Sequence, residues 1–273
     1  MFSSYSISSQ TVLNAGDIIV LAWAANTFGC GVSPDADELS FMCFKDIVTG
    51  TEIDLTDNAW ERQYPNYFGD SEGTLRMTRT GGTILKGTVI TLQGQLIGGN
   101  WIYRTLFPDN GWAFSNLNVP GGFFNLQNGG DQVIFMQGGT WDNQGGGANR
   151  ASYSGRLIWS TNSTGEWVSG NNDFTSNLHP DLAGCYSNEM SCCGGPAGFI
   201  RFYGPITPAD HFEWIDRVKW WPDWHFVNLC TDWAMYPNPY LGVVLPIEDN
   251  MSMGCWVCTG CSGFEDALVV SVP

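Results

Sequence analysis

The densest set of reactive side chains is Cys255-x-x-Cys258-x-x-Cys261, in a sequence with nine cysteines. Three thiolates at that spacing suit zinc, but a structural zinc site takes about four ligands, and the next cysteine upstream, Cys230, is distant in sequence. Cys192 and Cys193 are adjacent, an arrangement ill suited to a metal or to catalysis. The set Cys30, Cys43, Cys185, Cys192, Cys193, Cys230, Cys255, Cys258 and Cys261 is therefore read as the disulfide framework of a protein from an oxidising compartment. Cys30 with Cys43 suits a short link between neighbouring strands, and Cys185 with Cys192 or Cys193 closes a small loop. An odd number leaves one thiol free or bridging to a neighbouring subunit.

Carboxylates are the next candidates. Two acids across a cleft hydrolyse glycosides, and Asp54, Asp57, Glu61 and Glu72 qualify by number only. In a strand Asp54 and Asp57 point to opposite faces, so they form no pair unless a turn intervenes. Asp35, Asp37 and Glu38 in one acidic loop, and Asp54, Asp57 and Glu72 around another, suit either calcium, which takes several oxygen ligands, or solvated turns. The histidines His179, His211 and His225 lie beside no nucleophile motif and read as structural. No catalytic residue is assigned, and the chain is not expected to be an enzyme.

Thirteen tryptophans remain, with Trp214, Trp220, Trp221, Trp224 and Trp233 crowded together. Such a cluster serves a core, a subunit contact or a stacking platform for sugar rings. Asn162 and Asn250 begin Asn-x-Ser/Thr acceptors for N-glycosylation.

The elements that position these residues must be mostly strands. Charged residues are 14% of the chain against 43% hydrophobic and 14% aromatic, where about 25% charged is usual. Gly, Asn, Ser and Thr must then cover the surface. A net charge of −16 disfavours nucleic acid and anionic membranes. No apolar run reaches the ~18 residues of a membrane span. Residues 1–10, MFSSYSISSQ, lack a signal-peptide pattern, so the sequence is expected to start after a processed leader or to be part of a longer chain.

Short apolar runs punctuated by Gly, Pro, Asn and Asp predict strands in 16–25, 38–47, 51–60, 73–79, 88–94, 101–107, 122–127, 131–138 and 156–162. Thr207-Pro-Ala-Asp210 reads as an N-cap with proline at the first helical position, and Phe212, Ile215 and Val218 follow at helical spacing. A helix is predicted over about 208–220, ending before Pro222. After Pro237 the composition changes to a proline-interrupted stretch and the cysteine cluster. These features predict an all-β protein, an antiparallel β-sandwich domain over 1–235 with one packed helix, and a Cys-rich C-terminal extension over 236–273, strand-forming or assembly-related.

The runs GDIIVLAW, ELSFMCFKDIVTGTEIDLTDNAW, SEGTLRMT and GGTILKGTVITL, with the later GGDQVIFMQG and RLIW, resemble the lamin-tail-like β-sandwich module of secreted and cell-surface bacterial proteins. The resemblance covers roughly 12–235 and rests on strand and turn cues. It implies a non-catalytic surface or anchoring module. Its nine cysteines and the stretch after Pro237 depart from that module.

Together these readings predict an extracellular or cell-surface structural protein. Its partners are copies of itself in a filament, sheath or surface layer, with calcium as a possible cofactor. The alternatives are a carbohydrate-binding adhesion module, with glycans as partners, and, more weakly, a glycoside hydrolase.

Overall fold

In the computed structural model the described residues are 10–25, 36–119, 121–127, 129–144, 148–164, 167, 176–190, 198–226 and 238–249, with the backbone of 256–258 and 267–269. Expectations for Cys30, Asp35, Cys192, Cys193, Cys230, Trp233, Asn250, Cys255 and Cys261, and for the side chains of Trp221 and Cys258, lie outside them.

Strands are numbered here in chain order. Ile18–Ala24 (β1) and Gln132–Gln137 (β8) are buried along their whole length, which is why their sequences read as near-continuous apolar runs. Thr74–Arg79 (β4) instead alternates, Leu75 and Met77 turning inward and Arg76 and Thr78 outward.

These strands build two six-stranded sheets. The first runs Trp224–Phe226 (β14), Phe199–Phe202 (β13), β1, Ala36–Cys43 (β2), Val89–Ile97 (β5) and Asn100–Phe107 (β6). The second runs Ser187–Glu189 (β12), Arg156–Asn162 (β11), β8, Glu52–Thr56 (β3), β4 and Trp112–Asn116 (β7). Neighbours in both are antiparallel except β11 with β12, which are parallel. The chain is therefore an all-β sandwich of one antiparallel and one mixed sheet, with one short α-helix among the described residues.

The core lies between the sheets. Phe41 of β2 and Phe135 of β8 meet there with ring centroids 5.0 Å apart, both fully buried, and truncating either to alanine costs about 3–5 kcal/mol. A second apolar cluster sits on the outer face of the second sheet. There Ile134, Met136 and Leu157 are covered by Trp60, Phe68, Trp141 and Leu182 from the connecting loops. Trp141–Asp142 (β9) and Ser152–Tyr153 (β10) pair within this cover.

The helix α1 spans His211–Lys219. Its N-cap is Asp210, whose Oδ1 accepts from the Glu213 N–H at 2.9 Å, not Thr207 as the sequence suggested. Ala209 bridges to Ile247, which keeps 207–209 extended, and Thr207 instead receives the Arg217 guanidinium. Trp214, Ile215 and Val218 are its buried face.

The stretch 238–248, assigned from sequence to the C-terminal extension, lies against the first sheet. Tyr240 and Leu245 join the main core. Val89 N–H donates to Val243 O, Leu245 N–H to Gly87 O, and the Tyr240 hydroxyl to Phe202 O. Beyond it, Trp256–Cys258 (β15) and Ala267–Val269 (β16) pair antiparallel.

Two differences from the sequence reading matter below. β7 falls on GWAFSNLN, whose glycine and two asparagines read as loop residues in sequence. Conversely 122–127, GFFNLQ, is not a strand. It crosses the mouth between the sheets as irregular chain, with Phe124 and Leu126 buried as plugs. It runs so close to Gly73 that a Cβ there would lie 1.8 Å from Phe124 N.

Candidate functional site

The crossing segment brings three carboxylates together. Asp37 lies on the inward face of β2, in phase with the buried Leu39 and Phe41. Asp57 follows β3 and Asp131 precedes β8, each one step from an outward-facing residue and so turned between the sheets. All three are buried, Asp57 and Asp131 completely.

An irregular buried segment leaves its amides without a ladder partner, and here the carboxylates accept them. Asn125 N–H donates to Asp57 Oδ2 and Leu126 N–H to Asp37 Oδ2, both at 2.7 Å, and Gln127 N–H donates to Asp131 Oδ2 at 3.2 Å. Three consecutive amides are thus held by three acids from distant parts of the chain. Asp57 Oδ1 also accepts from Gly73 N–H at 2.7 Å, and Asp131 Oδ1 from Gln132 N–H at 2.8 Å. Tyr103 of β6 reaches into the same space and donates to Phe124 O at 2.8 Å.

The electrostatics follow from this crowding. Burial pushes the Asp57 carboxyl well above the usual carboxylate range, and nearby Asp37 adds to it against the pull of the amides of Asn125 and Gly73. Asp131 is raised in the same way, first by burial and then by the charge of Asp57. The Tyr103 hydroxyl is pushed up by burial and by Asp57 and Asp37. The arrangement pins a loop by three buried carboxylates.

Asp54 lies on the opposite face from Asp57. It holds Arg76 through two bonds of 2.7 and 2.8 Å and accepts from the Tyr153 hydroxyl at 2.7 Å. Glu61 accepts from Asn66 N–H and from Asn177 Nδ2. Glu72 is nearly buried beside Gly73, its own N–H bonded to Asn58 Oδ1. Glu38 faces outward on β2, takes a bond from Gln93, and has its carboxyl raised by burial. Among the described residues, no three His, Cys, Asp or Glu side chains come close enough to share a metal ion.

Other sequence candidates are relocated by burial. Cys43 carries a free thiol within the main core, so the expected link to Cys30 is not formed. Burial, with the charge of Asp17, pushes that thiol up, which removes the thiolate needed for exchange. Cys185 is in a disulfide, with its partner outside the described residues. Asn162 is fully buried at the end of β11, its Oδ1 accepting from Thr164 N–H and hydroxyl, so it is no glycan acceptor. Trp214 and Trp224 are core residues whose indole N–H groups donate to Pro246 O and Val218 O, which removes them from any aromatic contact surface. Among those of the five whose side chains are described, Trp220 is the exposed one. His179 packs at a tilt against Trp60 and accepts from Asp181 N–H, and burial lowers its pKa. His211 packs on Phe44 and Phe212, and His225 on Tyr203.

β6 is an end strand of the first sheet, opposite β14. Leu96, Ile97, Ile102 and Phe107, on it and at the end of β5, are exposed. Gly98 and Gly99, both at positive φ, close the β5–β6 hairpin in two residues. The surrounding sequence is unusual for an acidic chain, because no Asp or Glu occurs between Glu72 and Asp109, a stretch that holds Arg76, Arg79, Lys86 and Arg104. The first acid beyond it, Asp109, is bound by Arg79, which holds its carboxyl below the ordinary value. Among the described residues, no helix is long and apolar enough to cross a membrane. Comparisons with protein-family models, curated proteins and solved structures find no match to this chain.

Proposed function

We propose that this chain is an extracellular structural protein whose copies assemble into a filament, sheath or surface layer, and that it performs no catalysis. The observation that carries this reading is the edge of β6, whose outer side no other strand pairs among the described residues. It is eight residues long, with Ile102 51% and Phe107 37% exposed. Proteins that stay monomeric blunt such edges with lysines, prolines or bulges, because the unpaired row of amides and carbonyls is a template for another strand. Residues 100–105, ahead of the register shift between Thr105 and Phe107 and of Pro108, offer a single charge, Arg104, to oppose pairing. The Cys185 disulfide supports an oxidising compartment. The resemblance to lamin-tail-like modules supports a surface role without chemistry of its own.

Light scattering over a dilution series, with and without calcium and reductant, together with electron microscopy of negatively stained material, tests this. Growth of mass with concentration, with ordered polymers on the grid, is expected. A monomer at every concentration and condition overturns the proposal.

A further inference from the structure

The hairpin geometry specifies how the β6 edge is used. A two-residue turn makes Ile97 and Asn100 a hydrogen-bonded pair, so Ile102 and Arg104, opposite Gln95 and Gln93, also point their amides and carbonyls at β5. Trp101, Tyr103 and Thr105 therefore point theirs away from the sheet, and no backbone partner for them occurs among the described residues.

We infer that a second copy of this chain pairs with this edge through its own β6, antiparallel about a two-fold axis at Tyr103. This rests on the assembly reading above and names one of its contacts: a two-fold pairing closes a dimer, and the polymer grows from such dimers through a second contact. The unpaired row calls for a strand, and the acid-free stretch 73–108 is where two copies of a chain of net charge −16 approach with least repulsion. Centring on Tyr103 engages all three outward residues, Tyr103 with its symmetry mate and Trp101 with Thr105, and forms about six ladder bonds. An axis at Trp101 or Thr105 strands part of the row. In this register Ile102 faces Arg104 of the other copy, so the two guanidinium groups do not oppose each other.

The test exploits the Ile102–Arg104 pairing. Ile102 is exposed, so its replacement leaves the core intact. Ile102→Lys sets like charges opposite one another twice per dimer and is expected to weaken association at least about tenfold, whereas Ile102→Glu meets Arg104 and is expected to associate within about threefold of the parent. Mixing Ile102→Cys with Arg104→Cys protein should give a cross-linked heterodimer by peptide mapping, since non-hydrogen-bonded pairs bring Cα atoms to about 4.5 Å, and neither variant alone should cross-link at that position. Parent protein that assembles while both charge variants assemble equally, without the cross-link, overturns the β6 contact and leaves the assembly reading standing. Parent protein that stays monomeric overturns both.

Discussion

Replacing Asp57 with asparagine should reverse sign in its effect on stability as pH rises. Asp57 accepts two backbone amides, from Gly73 and Asn125. Asparagine accepts only one with its carbonyl and turns an NH2 toward the other donor, which costs about 1–3 kcal/mol. At acid pH the variant is therefore the less stable protein. Because burial raises the Asp57 and Asp131 carboxyls in the folded chain, the folded state binds more protons than the unfolded state. The stabilisation from this proton binding is complete below the unfolded value of about 3.9 and is lost as pH rises through the folded value. Each retained proton erodes the parent by up to about 1.4 kcal/mol per pH unit. The variant lacks one such carboxyl and relieves Asp131 of a neighbouring charge, so its profile is flatter and the gap closes, then inverts. Urea unfolding followed by tryptophan fluorescence, from about pH 4 to 8 at constant ionic strength, reads this directly. A gap that stays constant or widens with pH would refute the reasoning.

Three further outcomes follow from burial. Asp54→Ala leaves the Tyr153 hydroxyl without its acceptor and the Arg76 guanidinium with only Glu52 and Gly139 O. It should lose about 3 kcal/mol in the same urea assay, near the low end for a broken buried pair because Arg76 keeps some contact with solvent. Cys43 should resist a soluble thiol reagent in the native protein and react only in denaturant, scored by mass per molecule. Secretion from a glycosylating host should leave Asn162 unmodified in peptide maps, since its side chain is enclosed beside Thr164.

Strands with long apolar runs were legible, because burial on both faces of β1 and β8 leaves a signal that needs no neighbour to interpret. The segment 122–127 misled for a physical reason. Phe123, Phe124 and Leu126 have a strand's composition, but their amides find carboxylates instead of a ladder. In sequence Asp37 and Asp57 read as turn or calcium-binding acids, whereas Asp131 reads only as the start of a strand. Its one local signal is an acid set directly before the buried run QVIFMQ. Positions 37, 57 and 131 meet only because β2, β3 and β8 end at the same mouth of the sandwich, a fact of sheet order that no local spacing encodes. Cys43 was similarly judged by type, when its inward register on β2 decides its fate. The open edge of β6 likewise depends on which strand comes last in the sheet.

The stretch 238–248 has a mechanical consequence. Its contacts reach β5 at Val89, β2 through Asn238 on Ser40, and β13 through Tyr240 on Phe202, so it spans several strands of the first sheet from outside. Tension entering at β6 and running across the strands would otherwise open ladder bonds one row at a time. With this diagonal tie in place, rows on either side of β1 must part together, and the sheet resists as a braced panel instead of peeling like a zip.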